Sequence, residues 1–199
     1  MLKTGNGPGR PREFKIDDAI ASALDVFQER GYASTSLPDL IEGTGLSRGS
    51  LYKAFPDKHT LYVAALDRYI QSGVERLASQ LREKSPAEAI RQVLLHYARL
   101  SSGNPGLKGC MVVSAATEML PHDELVAERV RWMFERMKAL LGDAIARGQA
   151  EGAIPADRDP ESLSSFLLCV IEGMRVLGKA GGQERRMKDI AAVASGVLL

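Results

Sequence analysis

The chain has 199 residues, 45% of them hydrophobic, and 26 basic residues stand against 25 acidic ones. That composition supports a sizeable core in one or two domains, and a net charge of +1 is by itself no argument for a nucleic-acid partner. Two cysteines, Cys110 and Cys169, make no disulfide scaffold, and no uninterrupted apolar run is long enough to span a bilayer, so a soluble protein of the reducing cytoplasm, without leader or membrane partner, is expected.

Charge is unevenly distributed. Residues 1–15 carry Lys3, Arg10, Arg12 and Lys15 against Glu13 alone. Residues 16–45 hold one basic and six acidic residues, whereas 46–60 hold Arg48, Lys53 and Lys58 against Asp57. Positive charge at the arm and near residue 50 is the footprint of a domain edge that faces DNA. The arm GNGPGRPR has nothing to pack with. Its Arg10 and Arg12 suit a minor groove, and a plain tail is the equal alternative.

Ile16, Ala19, Ile20, Ala23, Leu24 and Phe27 recur at helical spacing, which predicts a helix that ends at Arg30 with Gly31 as its C-cap. Ser36 then caps a second helix, with Pro38 in its first turn and Asp39 completing a capping box. Gly43-Thr44-Gly45 stops it, and Ser47 caps a third helix, SRGSLYKAF, that Pro56 closes. Leu51 and Phe55 lie four apart and face inward. Arg48, Gly49, Ser50, Tyr52 and Lys53 are left outward, a set without a bulky aliphatic residue. Arg and Lys reach phosphates or guanine edges, hydroxyls bond phosphate oxygens, and Gly permits close approach. Asp57 caps a fourth helix, whose first amides, with the Lys58 ammonium, suit a phosphate. Two short helices across a glycine turn, the second basic and polar outside, outline a helix-turn-helix.

Beyond Asp57 the chain reads helical throughout. A long helix is expected from 58 to 83, a natural lever between two domains, and Pro86 opens the next. Gly103-Asn104-Pro105-Gly106 reads as a break, and 108–119 as a buried helix with strand as the alternative. Pro121 is expected to begin the longest amphipathic helix, 152–160 a turn, and 160–179 and 184–198 the last two helices. Phe166 to Ile171 is six apolar residues in a row, apolar on every side. In a domain this small, one side is expected to be covered by a second subunit, and Gly173 in mid-helix suits close helix packing.

The pattern GY-x-x-TS-x-x-x-L-I-x-x-T-G-L-S-x-G-S-L-Y-x-x-F-x-x-K-x-x-L resembles the TetR/AcrR family of bacterial transcriptional regulators over roughly Arg12 to Leu61. The resemblance implies an all-α protein of three parts: a basic arm at 1–15, a helix-turn-helix domain at 16–57, and a helical ligand-binding and dimerisation domain at 58–199. It implies that Thr35 and Ser36 contact phosphate, and that Ser47, Arg48, Gly49 and Ser50 lie along the major groove. Tyr52 and Lys58 would clamp the backbone beside Lys53. Pro38 and His59 depart from the family pattern. The family's last two helices form a four-helix dimer interface, which implicates Phe166, Leu167, Val170, Gly173, Met174, Leu177, Ile190, Val193 and Val197. A two-fold dimer places its reading helices about 34 Å or somewhat more apart on a near-palindromic double-stranded operator.

The family's inducer pocket lies in the middle segment. Here that segment offers Cys110, Met111, Glu118, Met119, Trp132, Met133, Met137, Phe166 and Cys169, with Glu172 as a second polar anchor, although any single Met or aromatic residue at this spacing is more often plain core. GCMVVSAATE resembles a segment in one subset of the family. Cys110 is expected to be inert rather than a thiol sensor, since Lys108 is its one nearby cation. His59, His96 and His122 are dispersed, and Cys110, Glu118 and His122 make only a loose set, so no metal is expected. No nucleophile–base pair or phosphate-binding glycine loop stands at recognisable spacing, so no catalytic residue and no cofactor are expected. The reading that follows is a homodimeric, ligand-responsive repressor with an unknown small-molecule inducer. A helical binding protein that uses the same motif as a protein interface is the competing reading.

Overall fold

The computed structural model describes residues 16–198, and among them there are helices and no strands. α1 (Ile16–Arg30), α2 (Leu37–Thr44) and α3 (Arg48–Ala54) form the N-terminal unit. α4 (Lys58–Gln80) leads to α5 (Pro86–Leu100), α6 (Gly103–Lys108), α7 (Met111–Met119), α8 (Glu124–Ala150), α9 (Pro160–Lys179) and α10 (Glu184–Ser195), with a short 3₁₀ turn at Gly196–Leu198. The all-α expectation is met.

The caps explain why the N-terminal helices stop where they do. Ser36 accepts from the Asp39 amide, while Asp39 accepts from the Ser36 amide at 2.8 Å, a reciprocal capping box. Gly45 takes a left-handed φ of 66° and its N–H closes α2 onto Ile41. Ser47 and Asp57 then cap α3 and α4.

Two expectations are corrected downstream. The Gly103–Gly106 break is instead the start of α6, because Pro105 falls in the first turn, where no amide is needed. There the chain also needs to be thin: a Cβ on Gly106 would stand 2.7 Å from the Ser101 carbonyl, and one on Gly178 would meet the same oxygen at 2.7 Å. Pro121 does not begin α8. It lies in the preceding turn, and Asp123 supplies the cap by accepting from the Val126 amide at 3.0 Å. The segment after Lys108 becomes helical only at Met111, and the long helix ends at Gln80 rather than 83.

α1 packs on α4 and α2, α8 packs on α9, and α10 packs on α5. The buried apolar residues form one cluster from Ala19 to Leu198. α4 serves both ends of it. Its Tyr62 meets Phe27 edge-on at 5.0 Å and Tyr32 at 4.9 Å, fixing the N-terminal unit on the rest.

Candidate nucleic-acid interface and ligand cavity

α3 presents the expected face. Leu51 and Phe55 are buried, while Arg48, Gly49, Tyr52 and Lys53 are exposed and Ser50 is half-buried. The Arg48 guanidinium rests over the Tyr52 ring at 5.7 Å, so these two side chains share one surface. A Cβ on Gly49 would meet nothing within 4 Å among the described residues, so their packing does not demand glycine there. Ser47 caps the helix by accepting from the Ser50 amide at 3.1 Å and donates to the Ser50 hydroxyl at 2.9 Å. Ser36 likewise donates to Asp39 at 2.6 Å, and its hydroxyl and amide together hold the Asp39 carboxyl below its ordinary range. Arg10 and Arg12 lie outside the described residues.

Two of the expected phosphate contacts are turned inward. Thr35 is 2% exposed, and its hydroxyl donates to the Gly31 carbonyl at 2.6 Å. The Lys58 ammonium donates to the carbonyls of Tyr32 and Thr35, each at 3.0 Å, and stands 4.2 Å from the centre of the Tyr32 ring. Both carbonyls lie in the segment between α1 and α2, where backbone acceptors have no helical ladder to join, and Lys58 gives each of them a donor. Lys58→Met is therefore expected to destabilise the protein by about 1–3 kcal/mol. Its DNA affinity should retain the wild-type salt slope, as thermal unfolding and salt-dependent DNA titrations would check. A slope reduced by about one per subunit would place the ammonium on a phosphate instead.

His59, off-pattern in sequence, bonds Asp123 at 2.6 Å and thereby ties α4 to the cap of α8. Further contacts join the N-terminal unit to α6 and α7. Lys108 pairs with Asp25 at 2.5 Å, Gln28 donates to the Gly109 carbonyl at 2.8 Å, and Glu118 accepts from the amides of Tyr32 and Ala33 at 2.8 and 3.0 Å.

The interior cavity is not where the sequence places its pocket candidates. An interior cavity of about 330 Å³ lies among α1, α4, α5, α6, α8 and α9, and of the nine pocket candidates only Cys110 and Met133 line it. Met111, Met119 and Met137 are close-packed core. Trp132 is 55% exposed and lines an open groove with Ile70 and Val74 between α4 and α8. Glu118 is engaged at the N-terminal unit, and Phe166 and Cys169 fall on the outer side of α9 because Leu167, Ile171 and Met174 take its inner side.

Glu172 does line the cavity, as do Tyr69, Tyr97, Arg68, Arg76 and Arg175, which sequence reasoning missed. The signal for Arg175 was available, since Glu172 and Arg175 are charges placed one turn apart in the mostly apolar stretch from Phe166 to Leu177. Arg175 is 3% exposed and donates to the carbonyls of Leu100 and Gly109. The Oε2 atom of Glu172 is buried without a hydrogen-bond partner among the described residues, and burial, opposed by Arg175, pushes its carboxyl up to about 7. Burial and the Glu172 charge likewise push the Cys110 thiol up.

The expected dimer face is partly corrected. Leu167 and Met174 are 0% and 1% exposed within one subunit, so neither is free to meet a second. Phe166, Leu177 and Val193 are exposed together with Gly173, whereas Val170, Ile190 and Val197 are half-buried. Val176, 53% exposed, joins the stripe although sequence reasoning passed over it. No helix among the described residues is long and apolar enough to cross a membrane, and none of their His, Cys, Asp and Glu side chains cluster in threes as a metal site.

Known proteins agree with this geometry. A family model described as "Bacterial regulatory proteins, tetR family" matches residues 19–65, and one described as "Tetracyclin repressor-like, C-terminal domain" matches 86–194. The HTH-type transcriptional repressor ComR of Escherichia coli (strain K12) is 31% identical over 185 residues, covering 92% of this chain and 88% of that protein. The repressor BdcR of the same organism is 28% identical, with 96% and 93% covered. A solved structure of the TetR family regulator CifR, a cysteine mutant complexed with 26 bp operator DNA, superimposes with a TM-score of 0.84 at 30% identity, over 96% of this chain and all of that one. The capped helix-turn-helix and the helical domain behind it thus have one source: the chain belongs to the TetR family of bacterial regulatory proteins.

Proposed function

We propose that the protein is a transcriptional repressor that binds a near-palindromic operator as a homodimer and releases it when a small molecule fills the interior cavity. The observation that carries the DNA reading is the exposed face of α3. It is basic, free of bulky aliphatic residues, and fixed at its start by the side-chain cap of Ser47. Gly49 adds to it, since a glycine without an intramolecular reason suits close approach of a DNA backbone. In this reading Ser47, Arg48, Gly49 and Ser50 follow the major groove, while Tyr52 and Lys53 bond phosphates. Thr35 and Lys58 support them from behind.

The stripe of Phe166, Val176, Leu177 and Val193 supports self-association, because an apolar surface of this kind on the last two helices favours burial against a copy of itself. Ligand control is a population shift. A molecule that fits the cavity better when the reading heads are wrongly spaced draws the dimer away from the operator, and DNA weakens ligand binding by the same factor.

Genomic-fragment selection with the purified protein at moderate salt tests the reading. The expected result is one enriched, near-palindromic motif whose half-sites lie about one helical turn or somewhat more apart. Fragments no richer in any motif than random DNA would overturn sequence-specific binding and favour a protein partner for α3.

A further inference from the structure

We infer that the interior cavity takes a small amphipathic organic acid, one that carries a hydrogen-bond donor away from its carboxylate, with the donor on Glu172 and the acid group at Arg68 and Arg76. The inference rests on the ligand-responsive reading above and assigns that ligand a chemical class.

The inner end of the site is Glu172. Its Oε2 atom is buried and bonds nothing among the described residues, an arrangement native interiors seldom leave unanswered. Arg175, one turn along the same helix, does not answer it: its guanidinium donates to the carbonyls of Leu100 and Gly109 and makes no hydrogen bond to this oxygen. A hydroxyl or N–H of a ligand can.

The charge around the cavity points to an anion. Arg68, Arg76, Lys108 and Arg175 line it against the single carboxylate of Glu172. Lys108 is paired with Asp25 and Arg175 is engaged as above. Arg68 and Arg76 have no partner among the described residues, and both are exposed, which sets them at the opening. They stand eight residues apart on α4, two turns, with Gly73 between them leaving open space. Guanidinium forks without partners are suited to a carboxylate. Neighbouring His96 registers the same field: burial, then Arg76, Arg99 and Arg175, holds its pKa below the ordinary value. A cationic ligand would enter against that field.

Between the two polar ends the walls are Leu24, Tyr69, Tyr97, Leu100 and Met133, suited to a ring or short aliphatic body. The volume, about 330 Å³, is at the small end of ligand pockets. Binding is non-covalent. The one cysteine in the wall is kept as a thiol by burial and by Glu172, and a thiol is a poor nucleophile.

Calorimetry on the full-length protein with four single-ring probes tests this: 4-hydroxybenzoate, benzoate, 4-hydroxybenzyl alcohol and tyramine. The expected order places 4-hydroxybenzoate first, benzoate at least tenfold weaker, and the alcohol and the amine weaker still. Glu172→Met should remove the advantage of 4-hydroxybenzoate over benzoate. Arg76→Ala, on the exposed rim where folding is not at stake, should remove the advantage of the acid over the alcohol. Tyramine or the alcohol binding as tightly as the acid, or neither acid binding at all, overturns the assignment. Operator release is scored separately. An acid that binds without releasing the operator leaves this site standing and sinks ligand control. Release by a neutral or cationic compound with no acid binding does the reverse.

Discussion

Arg48→Ala is expected to weaken binding to the selected operator by about 2–6 kcal/mol per dimer, roughly 30-fold to 3 × 10⁴-fold, while binding to scrambled DNA falls far less. The estimate is one lost base contact of about 1–3 kcal/mol in each half-site. Arg48 is the residue to test because it opens α3, and recognition helices touch base edges with their N-terminal residues. Its guanidinium is also already placed. It lies over the Tyr52 ring at 5.7 Å, so less side-chain freedom is lost on binding than for Lys53, which has no such support. Tyr52→Phe provides the contrast. It keeps the ring beneath Arg48 and removes only a hydroxyl, so operator and scrambled DNA should weaken together. Titrating both DNAs at several salt concentrations checks the pair. Equal losses for Arg48→Ala on both DNAs, with a salt slope lower by about one per subunit, would put Arg48 on a phosphate.

Features whose cause lies within a few residues were legible in the sequence. The Ser36–Asp39 capping box, the left-handed Gly31 and Gly45, and the Ser47 and Asp57 caps are local chemistry, and each stands where the spacing put it. The outward set on α3 followed from helical periodicity alone. Features decided by distant chain were not legible. Lys58 reads as a phosphate ligand because nothing nearby competes for it, but the carbonyls that hold it are 23 and 26 residues away. Six apolar residues from Phe166 to Ile171 carry no period, so the outward turn of Phe166 and the inward turn of Leu167 depend on packing against α8. Gly103 to Gly106 looks like a break because its composition is that of a loop. The close approach of Ser101 and Gly178 that makes glycine useful at 106 is tertiary. The cavity suffered most, since its wall draws on six helices and its polar members are ordinary surface residues by type.

The contact between Glu118 and the N-terminal unit supplies the second large effect, read through Gly31. Gly31 has a φ of 78°, and a Cβ there would lie 2.2 Å from Glu118 Oε1. An alanine meets two penalties: about 1–2 kcal/mol for the left-handed backbone, and displacement of the Glu118 carboxylate from the Tyr32 and Ala33 amides. The carboxylate is the far end of a flexible, exposed side chain, so moving it sacrifices its hydrogen bonds rather than packing, about 1 kcal/mol. Gly31→Ala should therefore destabilise by about 2–3 kcal/mol in the wild-type background and by about 1 kcal/mol less when Glu118 is already alanine. Chemical denaturation of both single variants and the double variant measures the difference, and additive losses would mean that Glu118 holds nothing. The functional consequence lies in where α7 runs. It starts beside Cys110 at the cavity and ends with Glu118 at the turn that leads into α2, nine residues of helix between the cavity and the N-terminal unit. With Glu118→Ala, a ligand should still raise the unfolding midpoint but release operator with a markedly smaller coupling factor. Undiminished release would move the coupling to the other ties, Gln28 to Gly109, Lys108 to Asp25 and His59 to Asp123.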